Sequence, residues 1–398
     1  MKKKILFVTQ QLECGGVEKA LVNLLNLIDR DSYDCEMLVI ENSGKFRDFF
    51  PEWINILEYD CPQYIKMMAN YYRKPQIEEG DNACTKLSKI GWSLIHYLNK
   101  FTTKIFKKNV SYRVMFEKYK KRNDFSNYDM LVDFHGYGVY TTYLVAYQKT
   151  TAKKVSWIHE ETIYAAYKYI SECYKHFDYI FGNCIDSCNN FVSTFPENKE
   201  KIGVYYNFLD IQEIERKAQE KDVSLELDSE FNIVSVGRVS EQKSFHRAVE
   251  VAQILKEKGY EFKWMIIGEG EQYQELKEET KERDLDKCLI FHGFEENPYP
   301  YIAGADLYVQ TSRAEGFCTT ISEAVILGKP IVSTRVGGIE EQLDGSSGGI
   351  VTGHTSKEIA QAIIKLIENK EELNRLEQHN VLKTMDYEKE IEKLYKVL

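Results

Sequence analysis

The chain has 398 residues, 52 Lys and Arg against 62 Asp and Glu for a formal net charge of −10, and 43% hydrophobic residues. That is the balance of a globular protein of two or three domains, each able to bury its own core, and it excludes a small fold dependent on staples. The longest apolar stretch near the start, Ile5 to Val8, falls far short of the ~20 residues that cross a bilayer or the roughly 7 to 15 of a signal-peptide core. The chain is therefore expected to stay in the cytoplasm. Nine cysteines form an odd set with no CxxC pair, which argues against a disulfide framework and a tetrahedral zinc site and for thiols in a reducing compartment.

Short apolar runs rich in Val and Ile recur with helical patterns between them. In the first half these are Lys4 to Gln10, Cys35 to Glu41, Ile54 to Tyr59, Met130 to His135, Lys154 to His159, Tyr179 to Cys184 and Gly203 to Asn207. The second half repeats the scheme with Phe231 to Gly237, Lys263 to Gly268, Cys288 to Gly293, Leu307 to Thr311, Pro330 to Thr334 and Gly348 to Val351. Near-continuous apolar strands alternating with helices predict α/β architecture: two doubly wound domains with parallel sheets covered on both faces. The polar stretch from Glu213 to Glu230 sets the boundary, giving domains over 1–210 and 211–380, with 381–398 expected as a helix that packs back on the first domain.

Charge is not shared evenly. Residues 211–398 carry 24 Lys and Arg against 36 Asp and Glu, whereas residues 86–122 hold eleven Lys and Arg and a single acid, Glu117. The region 61–128 interrupts the strand pattern. Within it, Ile90, Leu94, Leu98, Phe101 and Ile105 follow helical spacing among lysines, so a basic, amphipathic helical insert is expected. Such a segment either packs on its own domain with a solvated lysine face or, with Trp92, Phe101 and Phe106 beside the cations, makes peripheral contact with an anionic membrane face. Nucleic acid is disfavoured, since the chain as a whole is acidic and no nucleic-acid motif is visible.

Two strand-to-helix turns in the second half carry the chemistry. The strand ending at Gly237 is followed by Arg238 and Lys243, and in a doubly wound sheet ligands bind beyond the carboxyl ends of strands. A guanidinium fork with an ammonium suits a diphosphate, although a plain turn with solvated cations reads the same way. The segment Ser312 to Ala324 also leaves a strand and opens a helix. It holds Gly316, which permits close backbone approach, the amides of Phe317, Cys318, Thr319 and Thr320 at a helix start that favours a phosphate, and two acids, Glu315 and Glu323, eight positions apart. Carboxylates hold hydroxyls strongly, so the pair suggests a polyol at each end of the phosphate.

Taken together, Arg238, Lys243, Glu315 and Glu323 resemble the retaining nucleotide-sugar glycosyltransferases of family 4, which have the two-domain GT-B fold with the domains facing across a cleft. The resemblance extends through Gly328-Lys329-Pro330, Gly337-Gly338-Ile339-Glu340-Glu341, Ile267-Gly268-Glu269-Gly270 and Phe291-His292-Gly293-Phe294. It also takes in Gly15-Gly16-Val17-Glu18, Trp157-Ile158-His159 and Asn207-Phe208-Leu209-Asp210, so that it spans nearly the whole chain apart from the insert. The variant Glu-Gly-Phe-Cys-Thr-Thr is most similar to bacterial enzymes that build capsular and other cell-surface polysaccharides.

The resemblance implies a metal-independent hexosyltransferase with no cofactor, moving a sugar from a nucleoside diphosphate sugar, with UDP favoured, to a glycan or lipid-linked acceptor. The first domain would bind the acceptor and the second the donor. Arg238 and Lys243 would grip the diphosphate, Glu315 the transferred sugar and Glu323 the ribose, with the amides near Thr319 and Thr320 on phosphate oxygens. His292, Gly293 and Phe294 would flank the base, and Gly15 and Gly16 would close the site. His159 would contact the donor sugar near the reacting centre. Ser244 departs from the family, which most often has Gly after the Lys. The rival reading is a catalytically silent glycosyltransferase-like partner subunit, which has no need of this complete donor set. Asp284-Leu285-Asp286 is a DxD in a helix end, read as structural rather than as a metal site. The remaining histidines, His135 among them, have no metal-ligand spacing.

Overall fold

A computed structural model of the protein describes residues 2–12, 15–41, 47–61, 110–136, 140–159, 171–343, 348–377 and 387–398. The chain divides into two compact units, Met1–Phe208 with Tyr387–Leu398, and Leu209–Asp386.

The first unit is built on a seven-stranded parallel sheet: β1 (Lys3–Thr9), β2 (Tyr33–Val39), β3 (Asn55–Glu58), β4 (Met130–Asp133), β5 (Lys153–Ile158), β6 (Tyr179–Gly182) and β7 (Ile202–Val204). Their order is β3-β2-β1-β4-β5-β6-β7, so the chain winds outward one way from β1 and then the other way from β4. The strands are apolar on both faces because both are covered. Ile5, Phe7, Met37, Val132 and Trp157 join one core, while Leu6, Val8, Leu38, Leu131 and Ile158 join the other.

Helix α1 (Gly16–Leu27) buries Leu21, Leu24 and Leu25 in the first of these cores. Helix α2 (Val110–Tyr119) turns Phe116 and Tyr119 into the second, beside α3 (Tyr140–Tyr147). Helix α4 (Ile185–Thr194) is capped by the Cys184 side chain, which accepts from the Ser187 amide. From the far end of the chain, the helix Tyr387–Tyr395 docks on this unit: Ile391 and Leu394 are buried in its core, Tyr395 stacks on Tyr33 at 4.2 Å, and Glu390 accepts from the Tyr206 amide.

The second unit has a six-stranded parallel sheet: β8 (Asn232–Val236), β9 (Lys263–Ile267), β10 (Leu289–Gly293), β11 (Leu307–Gln310), β12 (Ile331–Thr334) and β13 (Gly349–Thr352). Its order, β10-β9-β8-β11-β12-β13, repeats the winding of the first and is the Rossmann-like pattern. Helices α5 (His246–Glu257), α6 (Tyr273–Glu282), α7 (Thr319–Ile326) and α8 (Ser356–Glu368) cover its faces. Helix α8 is well set by sequence: Thr355 and Glu358 form a reciprocal capping box, and Ile359, Ile363 and Leu366 repeat at helical spacing into the core.

Both sheets reverse their winding beside their first strand, at β1/β4 and at β8/β11. Of the basic stretch 86–122, residues 86–109 lie outside the described residues, as does the helix expected over Ile90 to Ile105. Among the described residues no helix is long and apolar enough to cross a membrane.

Candidate active site

The turns after β8 and β11 meet at the reversal point of the second sheet. Arg313 donates its amide to the Gln242 carbonyl at 2.8 Å, and the Gln242 side chain donates back to the Ala314 carbonyl at 3.1 Å. Thr311 Oγ1 donates to the Lys243 carbonyl at 2.9 Å, and Arg247 of α5 donates to the Thr311 carbonyl at 2.8 Å. These backbone clips hold two loops 70 residues apart in sequence as one surface, and they set the positions of the side chains that loops alone would leave loose.

At the centre is an ion pair. Lys243 Nζ lies 2.8 Å from Glu315 Oε1, with only 15% and 11% of the two side chains exposed. The same carboxylate oxygen accepts from Ser312 Oγ at 2.6 Å and from Gln310 Nε2 at 3.3 Å. Lys243 Nζ also stands 3.6 Å from Cys318 Sγ. Burial opposes the ammonium charge, but the Glu315 carboxylate 2.8 Å away outweighs it and holds the lysine above its ordinary pKa, so it is charged at neutral pH. Burial pushes the Cys318 thiol up, so that it remains a thiol.

Cys318 is the N-cap of α7, and its carbonyl accepts from Gln342 Nε2 at 2.7 Å. Gly316 and Phe317 are buried just before it, while Thr319 and Thr320 open the helix half-buried. First-turn amides have no acceptor within the helix and face outward from its positive end. Glu323, one turn on, is 1% exposed, and Tyr299 Oη donates to it at 3.4 Å. Arg238 is exposed directly after Gly237 at the end of β8. Arg238, Lys243, Glu315, the α7 start and Glu323 are thus gathered at one end of one sheet.

Gly268 and Gly293 sit beside this group. Gly268 donates its amide to the Gly293 carbonyl at 2.7 Å. A Cβ on Gly268 would stand 2.0 Å from the Gly237 carbonyl oxygen, and φ of +139° lies where side chains are rarely tolerated, so glycine is required there. His292 Nε2 is 3.2 Å from Tyr301 Oη and 3.6 Å from Glu226 Oε2, and Phe294 is 57% exposed.

Ser244 adopts φ of 53°, the left-handed conformation that explains why a glycine would be at home there. Serine is retained because its Oγ donates to the Glu241 carbonyl at 2.7 Å, offsetting part of the strain. Asp284 is also left-handed, at the end of α6, with Leu285 buried behind it.

The other sequence-predicted residues belong to the first unit. Gly15 is the extended N-cap of α1, and Gly16 is its first residue. His159 follows β5, and its Nε2 is 2.7 Å from the Phe134 carbonyl. A carbonyl only accepts, so Nε2 carries the proton and Nδ1 is left as an acceptor. Burial, together with His135 nearby, lowers its pKa to about 4.

Sequence reasoning missed the residues that hold the site: Ser312, Gln310, Thr311, Gln242 and Tyr299. A run of polar side chains directly after an apolar strand, Gln310-Thr311-Ser312, is the signal that could have found three of them.

Residues 216–381 match the family described as glycosyl transferases group 1. That span holds every element of the ion-paired site. The matched span falls within the second unit.

Curated relatives align with part of the chain. The N-acetylgalactosamine-N,N'-diacetylbacillosaminyl-diphospho-undecaprenol 4-alpha-N-acetylgalactosaminyltransferase of Campylobacter jejuni is 31% identical over 42% of this chain and 43% of its own length. The capsular polysaccharide biosynthesis glycosyltransferase CapM of Staphylococcus aureus is 31% identical over 43% of this chain and 45% of its own. The chain thus spans less than half the length of the curated relatives it matches. Solved structures match along the whole chain. HepE of Anabaena, crystallised with UDP-glucose, superposes with a TM-score of 0.73 at 17% identity, covering 99% of this chain and 98% of that one. TarM of S. aureus, crystallised with UDP, gives 0.73 at 14% identity over 99% of both chains. At such identities the likeness concerns the fold, two Rossmann-like domains of the GT-B type.

Proposed function

We propose that the protein is a retaining, metal-independent glycosyltransferase that moves a hexose from a nucleoside diphosphate sugar, UDP-linked by preference, to a hydroxyl of a cell-surface glycan or glycolipid acceptor. The observation that carries this reading is the buried Lys243–Glu315 pair at the sheet reversal, with Arg238 and the α7 amides beside it. One cation set and one carboxylate set, held together, match a ligand with a diphosphate at its middle and hydroxyl-bearing rings at both ends. Relatives named for capsule and undecaprenol-linked glycan synthesis support the acceptor class.

The chemistry follows from the charges. As the bond between the anomeric carbon and the diphosphate oxygen breaks, negative charge gathers on the leaving phosphate. Lys243, Arg238 and the start of α7 stabilise that charge more than they stabilise the ground state. The acceptor oxygen bonds to the anomeric carbon on the face being vacated, and its proton passes to the departing phosphate oxygen, so stereochemistry is retained without an enzyme base. Glu315 orients the sugar, Glu323 the ribose and His292 to Phe294 the base, while Gly15, Gly16 and His159 contribute from the first unit. The basic stretch 86–122 is assigned to peripheral contact with the membrane bearing a lipid-linked acceptor.

The test is a panel of UDP-, GDP- and ADP-sugars incubated with the purified protein and EDTA, following nucleoside diphosphate release with and without a lipid-extract acceptor. Release of one diphosphate under chelation, with the α-linkage of an α-donor preserved in the product, is the expected result. No release from any donor by a folded protein would sink the reading in favour of a silent partner subunit.

A further inference from the structure

The first sheet has a reversal point of its own, between β1 and β4, and the proposed function assigns no side chain to it beyond the glycines that follow β1. Beyond the carboxyl ends of the strands on either side of such a point is where a doubly wound sheet receives ligand. β1 pairs with β4 with Val8 opposite Asp133, and the Phe134 amide continues the ladder to the Val8 carbonyl at 3.0 Å. Gln10 and His135 each lie two residues beyond this pair, at the carboxyl ends of the adjacent strands β1 and β4.

Gln10 is 2% exposed, and among the described residues neither its Nε2 nor its Oε1 has a hydrogen-bond partner. His135 Nδ1 is likewise buried and has no partner among the described residues. Buried polar atoms are nearly always satisfied, and three unsatisfied ones on two residues that follow adjacent strands at a ligand-binding edge need an explanation. The turn that presents His135 is rigid. Asp133, fully buried, accepts from Thr141 Oγ1 at 2.7 Å, from Ser156 Oγ at 2.9 Å and from the Gly136 amide at 3.2 Å. Gly136 has φ of +60°, and a Cβ on it would lie 1.7 Å from the Trp157 carbonyl oxygen. The two side chains are therefore presented by backbone fixed in advance, as a binding pair requires.

We propose that Gln10 and His135 form a subsite that binds a sugar hydroxyl. The inference rests on the transferase reading, which makes a sugar the ligand. A primary amide offers donors and an acceptor, and an imidazole nitrogen adds one more bond, which together match a hydroxyl that donates once and accepts twice. Burial lowers the His135 pKa to about 4, so the pair is uncharged at neutral pH and suits a neutral polyol rather than a phosphate. The hydroxyl belongs to the transferred sugar or to the acceptor, and the kinetics separate the two.

The decisive variant is Gln10→Met, which keeps the side-chain length and removes both unsatisfied atoms. Its melting temperature is expected to rise by a few degrees, because a buried orphan amide is gone, while transfer falls at least tenfold. If the hydroxyl is on the donor, UDP release without acceptor falls and the KM for the UDP-sugar rises, with UDP binding by calorimetry unchanged. If it is on the acceptor, only the acceptor KM rises. His135→Asn, which keeps a polar atom near the Nδ1 position, should retain more transfer than His135→Phe. Gln10→Met with unchanged kcat and both KM values would overturn the subsite, as would a loss of melting temperature in step with activity. A wild-type protein that neither releases nor transfers sugar overturns the transferase reading and this one with it, whereas an active wild type with indifferent variants overturns this one alone.

Discussion

Replacing Lys243 by Met removes the ammonium and leaves the rest of the site in place. At 2.8 Å from Glu315 and an effective dielectric near 20, the pair attracts by about 6 kcal/mol before desolvation is subtracted. Breaking a buried pair from one side commonly costs about 3–5 kcal/mol. Here both groups retain some exposure and Glu315 keeps Ser312 and Gln310 as donors, so about 2–3 kcal/mol is expected, or a fall of roughly 5–10 °C in the melting of the second unit. UDP binding measured by calorimetry should weaken about 10- to 100-fold, the worth of one charge-assisted hydrogen bond. Glu315→Gln is the control that gives the result its meaning. It removes the carboxylate but keeps the ammonium, so UDP should bind at least as tightly as to the wild type while sugar transfer collapses. The double variant should be more stable than the sum of the singles implies, since neither charge is then left alone. A folded Lys243→Met protein that binds UDP within twofold of wild type would refute the assignment of Lys243 to the diphosphate.

His135 and His159 both have pKa values lowered to about 4 from an ordinary 6.5, so the unfolded chain binds more protons between those values and stability is lost as pH falls from 6.5 toward 4. At pH 5 the loss is on the order of 2 kcal/mol per histidine, and denaturant unfolding of the first unit should show it; equal stability at pH 7 and pH 5 would contradict the buried, neutral state of both. Gly268→Ala forces a Cβ to within 2.0 Å of the Gly237 carbonyl oxygen and should destabilise the second unit by about 3 kcal/mol or more, with loss of donor binding; a melting temperature within 2 °C of wild type would show that the β8 and β9 ends are not so closely packed.

The strand framework was legible because a buried parallel strand leaves little freedom: runs such as Phe231 to Gly237 and Leu307 to Thr311 have to be apolar on both faces, and no helix of comparable length reads that way. Glu315 and Lys243 were legible as chemistry but not as a pair. They are 72 positions apart, and their contact depends on clips such as Arg313 to Gln242 that have no periodic signature. The resemblance gave each a separate ligand, whereas in the folded chain they hold one another. Strand ends were read slightly long, as at Met130 to His135, because Gly136 turns the backbone while Phe134 remains apolar. Gln10 was passed over because a glutamine at a strand end looks solvated until its burial is known.

The helix Tyr387–Tyr395 ties the two ends of the chain into one body, and this orders events during synthesis. The ribosome delivers β1 to β7 first, yet their core still lacks Ile391 and Leu394 and Tyr33 lacks its stacking partner until nearly 190 further residues have been made. The second unit, contiguous from Leu209 to Asp386, can complete itself in the meantime. Of the two units, the one whose strands emerge earlier is thus the one that matures last, and a chaperone that guards nascent apolar surface would be needed longest at the sheet β1 to β7.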